Sequence, residues 1–159
     1  MSGTTGRADE EGWLFDLAHE VAGLEAAFRL IEAGNPFGWT AWYTHARALR
    51  EFFDCPAPLA SYPDLRLSDF GIERNDLGPT DPDLRGLWRD AGYLVAHLSK
   101  RRATARAQPT GAPQPNRQLH EHLVALARKF EQALSQKDRA LGESYRSALD
   151  FQRVRYGLA

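Results

Sequence analysis

The feature of this sequence that most constrains its fold is the spacing of its large apolar residues, which recur every three or four positions. Between residues 9 and 33 this stripe consists of Trp13, Leu17, Val21, Leu24, Phe28 and Ile31. Such a spacing places the side chains on one face of an α-helix. No segment shows the apolar–polar alternation of a half-buried strand. The sequence therefore predicts an all-α protein.

Helix-stopping residues divide the chain into helical segments. Gly34 and Pro36 end the first, because glycine accepts the left-handed cap and proline cannot continue a helix. Asp81 and Pro82 start the third as N-cap and first helical residue. The helices are predicted at about 9–33, 37–54 and 81–102, with a fourth capped by Asn116.

The end of the chain allows two interpretations. Leu141, Tyr145 and Leu149 either continue the fourth helix or belong to a fifth, so residues 117–155 form one helix or two. Amphipathic helices of this length must bury their stripes against one another. We therefore expect an antiparallel four- to five-helix bundle.

The 159 residues suit a single domain. We predict a disordered lead-in at 1–8 and one helical bundle domain at 9–156. Within it lie a long loop at 55–81 and a Pro/Gly-rich linker at 103–115. A loop of that length is either pinned to the core or carries function. The residues that would pin it are Leu65, Leu67, Phe70 and Ile72.

Composition points to a cytoplasmic protein without a membrane segment. Hydrophobic residues make up 43% of the chain, and no apolar run approaches the roughly 18 residues that a membrane span needs. The first eleven residues are polar and acidic, unlike a secretory signal. A lone cysteine, Cys55, excludes an internal disulfide and suits a reducing compartment.

The charge is balanced overall but unevenly distributed. A net charge of −1 creates no general attraction to nucleic acid. From residue 91 to 120, however, there is no acid, and the bases are Lys100, Arg101, Arg102, Arg106 and Arg117. These bases either complement a helix end and extend into solvent or form a binding surface, and the first interpretation is favoured.

The common catalytic and cofactor motifs are absent from the sequence. It contains no dinucleotide fingerprint, P-loop, nucleophile elbow or paired Cys-x-x-Cys, so we expect no cofactor. His120 and His122 point about 200° apart on a helix, which is wrong for a zinc pair and typical of a solvated helix start. Cys55 lacks a neighbour that would stabilise a thiolate. We therefore expect no metal site.

Two other histidines are candidates for function. His45 is expected to be half-buried beside the core stripe of the second helix. His97 shares a face of the third helix with Tyr93 and Arg101, at helical spacing. Such a face could transfer protons or hold phosphate, although a structural network or a dimer edge would need no chemistry and is favoured.

The segment 42–53, Trp-Tyr-Thr-His-Ala-Arg-Ala-Leu-Arg-Glu-Phe-Phe, with Val-Ala-His-Leu-Ser at 95–99, resembles a group of small bacterial helical proteins. That group is similar to the HEPN-like superfamily. The resemblance implies a helical bundle, often dimeric, in toxin–antitoxin, phage-defence or RNA-processing settings. Active members are metal-independent ribonucleases. The resemblance covers about residues 37–102.

The chain departs from the motifs of that superfamily. Ala48 replaces an asparagine in the first motif, and Gly92 with Tyr93 replaces an Asn-Lys pair in the second. In the ribonuclease signature, four to six residues separate an arginine from the histidine that follows it. This signature is missing upstream of His97, because seven residues separate Arg89 from His97. Arg117 and His122 fit the spacing, but chance alone would produce such a match.

Three functions follow as hypotheses. The leading one is a HEPN-like homodimer that binds RNA or a cognate protein partner without standard ribonuclease chemistry. Its candidate catalytic residues are His97, Tyr93 and Arg101, and its candidate binding residues are His45, Arg47, Arg89, Lys100 and Arg102. The second is a divergent ribonuclease or nucleotide transferase in which His97 acts with Arg89 or Arg101. The third is a structural or protein-interaction bundle whose histidines are satisfied in the packing.

Overall fold

The computed structural model describes residues 6–54, 65–79, 88 and 114–158, and the side chains of 114–116 are not among them. This part of the chain is helical and contains no strand, which confirms the predicted all-α bundle. Its four α-helices are α1 (Arg7–Glu32), α2 (Phe37–Asp54), α3 (Gln114–Lys137) and α4 (Arg139–Arg155). The helix predicted at 81–102 lies outside the described residues, except for the helical Trp88.

The first two helices pack as an antiparallel hairpin. Helix α2 has the predicted bounds, whereas α1 begins at Arg7, inside the predicted lead-in, and ends at Glu32. The left-handed Gly34, at φ 76°, turns the chain between the two helices. A Cβ on Gly38 would lie 2.7 Å from the backbone nitrogen of Ile31. The glycine therefore lets the start of α2 approach the backbone of α1.

The last two described helices form a second antiparallel hairpin, which resolves the alternatives for residues 117–155. The helix breaks at Asp138, whose backbone is extended (φ −141°, ψ 104°). The Asp138 carboxylate accepts hydrogen bonds from the backbone nitrogens of Ala140 and Leu141 and caps α4. Helix α3 begins at Gln114, two residues before the predicted cap, so Pro115 lies in its first turn.

The stripes of all four helices meet in one core. It contains the predicted Leu17, Val21, Leu24, Phe28 and Ile31, whereas Trp13 and Trp39 pack at its edge. Phe130 is at its centre and makes edge-to-face contacts with Phe52, Phe70 and Tyr145. The core is therefore closed by aromatic rings from three helices and the loop.

The described part of the predicted 55–81 loop, residues 65–79, is pinned to the core. Leu67, Phe70 and Ile72 are buried as predicted, and Leu65 packs partly against them. Two 3₁₀ turns, Leu67–Phe70 and Arg74–Leu77, were not predicted. The turns share the sequence Asp-apolar-Gly seven residues apart, Asp69-Phe70-Gly71 and Asp76-Leu77-Gly78. Each aspartate accepts a hydrogen bond from the backbone nitrogen three residues before it, at 2.7 and 2.8 Å.

Candidate functional site

The predicted site falls largely outside the described residues. Tyr93, His97 and Arg101, the candidate catalytic residues, lie there, as do the candidate binding residues Arg89, Lys100 and Arg102. Cys55 and residues 103–113 of the predicted 103–115 linker also lie outside. Of the predicted site, the structure describes His45 and Arg47 alone, and the other roles stay predictions.

His45 lies between α1 and α2 rather than in an open cleft. Its Nδ1 lies 2.8 Å from Oε2 of Glu20, and the side chains of His45 and Glu20 are 15% and 31% exposed. The ring packs on Gly23, where an added Cβ would lie 2.5 Å from Nε2 and 2.8 Å from Nδ1. The His45 side chain is therefore more buried than the half-buried position that was predicted. The imidazole ring fits there because Gly23 has no side chain.

A second histidine and a tyrosine extend this pair toward the surface. The His19 ring lies edge-on to the His45 ring, with 5.7 Å between centroids. The Tyr156 hydroxyl lies 3.2 Å from His19 Nδ1. Partial burial raises the pKa of Tyr156, and the nearby Glu20 carboxylate raises it further. Glu20, His45, His19 and Tyr156 thus form a chain of polar groups that joins α1, α2 and the turn after α4.

Arg47 lies apart from this chain of polar groups. It is exposed and pairs with Glu51 one turn later on α2, with 2.9 Å between Nε and Oε1. The hydrogen bond and charge of Glu51 raise the pKa of Arg47. An exposed pair of this kind contributes little to stability, so Arg47 remains available to a ligand.

A separate polar cluster, formed by Asp54, Arg74 and His122, joins the end of α2 to the loop and to α3. Arg74 Nε lies 2.9 Å from Asp54 Oδ1, and His122 Nε2 lies 3.5 Å from Asp54 Oδ2. Arg74 also donates to the carbonyl oxygen of Gly78. Burial would raise the pKa of Asp54, but His122 and Arg74 outweigh that effect and lower it. The cluster therefore holds a charged carboxylate at a largely buried position.

His120 is also partly buried, so the predicted solvated start of α3 is wrong for both His120 and His122. The His120 ring stacks on Phe28 with a centroid distance of 3.9 Å and an angle of 6°. Burial lowers the pKa of His120 to about 4, and the nearby Arg117 acts in the same direction against Glu25 and Glu32. Because the two histidines are two residues apart on α3, they point in different directions, His120 to Phe28 of α1 and His122 to Asp54 at the end of α2.

A concave site of about 490 Å³ opens beside this stack. It is lined by Glu25, Phe28, Arg29, His120, Arg153 and Leu158. Arg153 binds Glu25 through two hydrogen bonds, from Nε at 2.9 Å and from Nη2 at 2.8 Å. We call this the Arg29/Arg153 pocket. It was not predicted, because its residues come from α1, α3, α4 and the turn that follows.

The other notable surface is apolar and lies between α1 and α4. Phe15 and Phe151 are 40% and 54% exposed, and their ring centroids are 5.9 Å apart. Val154, one turn after Phe151, is 65% exposed. We call these residues, with Ala148, the α1/α4 face. The sequence pattern did not reveal it, because these apolar residues lie outside the buried stripes of their helices.

Comparison with known proteins gives no relative of this chain. No family model, curated protein or solved structure matches it. Within the described ranges there is no group of three or more His, Cys, Asp or Glu side chains placed to hold a metal ion. None of the described helices has the length and apolar character to cross a membrane.

Proposed function

We propose that this chain is a HEPN-like helical domain that functions by binding, as a homodimer, without the standard ribonuclease chemistry. The observation that carries the proposal is the α1/α4 face, where two aromatic rings and Val154 are presented to solvent together. Contiguous exposed apolar surface of this kind marks interaction sites in soluble proteins. Aromatic residues at the centre of such a surface supply most of the binding energy.

The charges around the face suit a second copy of the same chain. Its α1 side carries Arg7 and Glu11, and its α4 side carries Arg139 and Glu143. In a two-fold interface, the same patch meets itself, so a patch that carries both signs of charge can form ion pairs with its copy. Each of these pairs lies within one helix and is exposed, with nitrogen–oxygen distances of 3.6 Å and 2.8 Å, and Arg7 makes a further exposed contact with Asp138 at 3.7 Å. Exchanging such exposed pairs for pairs across the interface costs little.

The environment of His45 favours binding over catalysis. Its Nδ1 is bound to Glu20, and the imidazole is packed on Gly23 between two helices, which gives it a structural role. In this proposal, the dimer holds RNA or a cognate protein partner. The toxin–antitoxin and phage-defence settings implied by the motif resemblance form part of the same proposal.

The proposal is tested by the mass of the protein in solution. We expect sedimentation equilibrium to give a dimer for the unaltered chain. Phe151→Asp should weaken association at least about thirtyfold, because an aromatic residue at the centre of an interface contributes about 2 kcal/mol or more. The far-UV circular dichroism should be unchanged, because Phe151 is 54% exposed and does not belong to the core.

Phe37→Asp is the matched control. Phe37 is 80% exposed at the start of α2, outside the α1/α4 face, and receives the same change of charge and size. It should leave the dimer intact. A monomer at every concentration, or equal dissociation by the two variants, would contradict the proposal.

A further inference from the structure

The Arg29/Arg153 pocket has the size and charge of a small-ligand site. Its volume of about 490 Å³ falls in the range of clefts that bind small molecules. Two arginines and one glutamate line it, which leaves an excess of one positive charge. The pocket lies at the opposite end of α1 from Arg7 and Glu11, so its residues are distinct from those of the α1/α4 face.

The two arginines differ in how they are held. Arg153 is fixed by its paired hydrogen bonds to Glu25, which occupy Nε and Nη2. A guanidinium already held in position loses little conformational entropy when it binds a ligand. Arg29 is exposed and makes no ion pair with any described residue, so its donors are available. One cation is therefore preorganised and the other is free to close on an anion.

A polar group in the wall of the pocket also lacks a partner. Nδ1 of His120 is buried and has no hydrogen-bond partner among the described residues. Leaving a buried polar atom unpaired costs about 1–3 kcal/mol, and a ligand that makes contact with Nδ1 would recover that cost. The stack on Phe28 holds the imidazole ring rigidly at this wall.

From this arrangement, we infer that the pocket binds the phosphate group of a small phosphate monoester, with Arg29 and Arg153 as the anion-binding residues and His120 as a hydrogen-bonding residue. Guanidinium groups match the geometry of phosphate oxygens and form charge-assisted hydrogen bonds with them. The excess positive charge balances one charge of the ester. The Glu25 carboxylate holds Arg153 and disfavours an anion that would displace it.

Inorganic phosphate is the probe, and the His120 ring protons are the readout. We expect their NMR signals, assigned by their absence in His120→Phe, to shift saturably with a dissociation constant on the order of 1 mM. Arg29→Gln should weaken binding at least about tenfold, because it removes a charge-assisted contact. Since Arg29 is exposed and makes no ion pair with the described residues, this variant should fold normally.

Arg128→Gln is the control for net charge. Arg128 is also an exposed helical arginine without an ion pair to a described residue, and it does not line the pocket. It should change the affinity less than twofold. The inference fails if no saturable shift appears at constant ionic strength, or if Arg29→Gln and Arg128→Gln weaken binding equally.

A competition experiment identifies the source of the phosphate group. If a short single-stranded RNA displaces phosphate from the unaltered protein, and not from Arg29→Gln, the phosphate group that the pocket binds belongs to a nucleic-acid chain. RNA that leaves phosphate bound would support a free ester. The Phe151→Asp variant should bind phosphate normally, so the pocket and the proposed dimer can fail independently.

Discussion

Gly23 and Gly12 both lie within helix α1, but only Gly23 faces a neighbouring side chain. A Cβ at Gly12 would meet nothing within 4 Å, so Gly12→Ala should stabilise the protein by up to about 1 kcal/mol through helix propensity. Gly23→Ala would collide with the His45 ring and displace it from Glu20. We expect this variant to be destabilised by about 1–3 kcal/mol in urea unfolding, since overpacking outweighs propensity.

The double variant Gly23→Ala with His45→Ala provides the control. Once the ring is removed, alanine at position 23 should stabilise the His45→Ala protein, as it does at position 12. A Gly23→Ala cost of the same size in both backgrounds would show that the contact with His45 does not determine it.

His120 makes stability depend on pH. The unfolded chain binds a proton at this residue below about pH 6.5, whereas the folded protein does so only near its pKa of about 4. Between these values, the unfolded state binds more protons, so stability is complete above pH 6.5 and falls as the pH drops toward 4. We expect urea unfolding to show a loss of about 2–3 kcal/mol across this window.

His120→Phe isolates this effect, because phenylalanine can keep the stack on Phe28 and has no proton to bind. Between pH 6.5 and 4, the free energy of unfolding should fall less in this variant than in the unaltered chain, and the difference should equal the contribution assigned to His120. The lowered pKa of Asp54 also makes stability fall at acid pH, but Asp54 is present in both proteins and its contribution cancels in the comparison. Parallel stability curves for the two proteins would rule out His120 as the cause.

At the level of single residues, the sequence predicted which side chains are buried better than which side chains contact each other. The 3/4 spacing identified the core residues, because burial follows from position on a helix. It could not pair His45 with Glu20, 25 residues away, because tertiary packing brings them together. Gly23 lies within the span of a predicted amphipathic helix, and a glycine at such a position indicates that another group packs closely against the helix. The functions of Tyr93, His97 and Arg101 remain predictions.

Among the helices, the break between α3 and α4 depends on one cap. Asp138 accepts hydrogen bonds from two backbone nitrogens of the first turn of α4. Asp138→Ala should cost about 1 kcal/mol, the usual value of an N-cap, measured by urea unfolding. Asp138→Asn retains an accepting oxygen and should keep most of the stability. An equal loss in both variants would instead point to the charge of Asp138 and its contact with Arg7, 3.7 Å away.

The helices themselves were largely predictable, and the short turns were not. Helix α2 has the predicted bounds because glycine and proline precede it and a proline follows. The two 3₁₀ turns lie in a segment without helical periodicity, and each is held by one aspartate. Their shared Asp-apolar-Gly pattern was visible in the sequence. Its meaning required the hydrogen bonds, since such local capping has no periodic signature.

For the whole molecule, the proposed function predicts RNA retention without cleavage. Incubated with single-stranded RNA, the purified dimer should leave the chains intact on a denaturing gel. If RNA is the ligand, a filter-binding assay should show affinity that falls steeply as salt increases, because phosphate contacts release counterions. Protein that binds no RNA at low salt would leave a protein partner as the ligand.

The ribonuclease alternative has its own result in the same assay. RNA cut by the unaltered chain and spared by His97→Ala would replace the binding proposal with catalysis. Cleavage that survives His97→Ala would indicate a contaminating nuclease. The control is His45→Ala. This variant should give the same RNA pattern as the unaltered chain, because His45 is assigned a structural role between α1 and α2.

Helix α1 packs against α2, α3 and α4. Its residue Glu25 binds Arg153 of α4, which is 128 residues further along the chain. A ribosome completes α1 long before it completes α4. The buried side of α1 therefore remains only partly covered until α4 has left the exit tunnel. Closing so long a loop carries an entropic cost, so final docking comes late, and nascent chains stalled before α4 are exposed to aggregation.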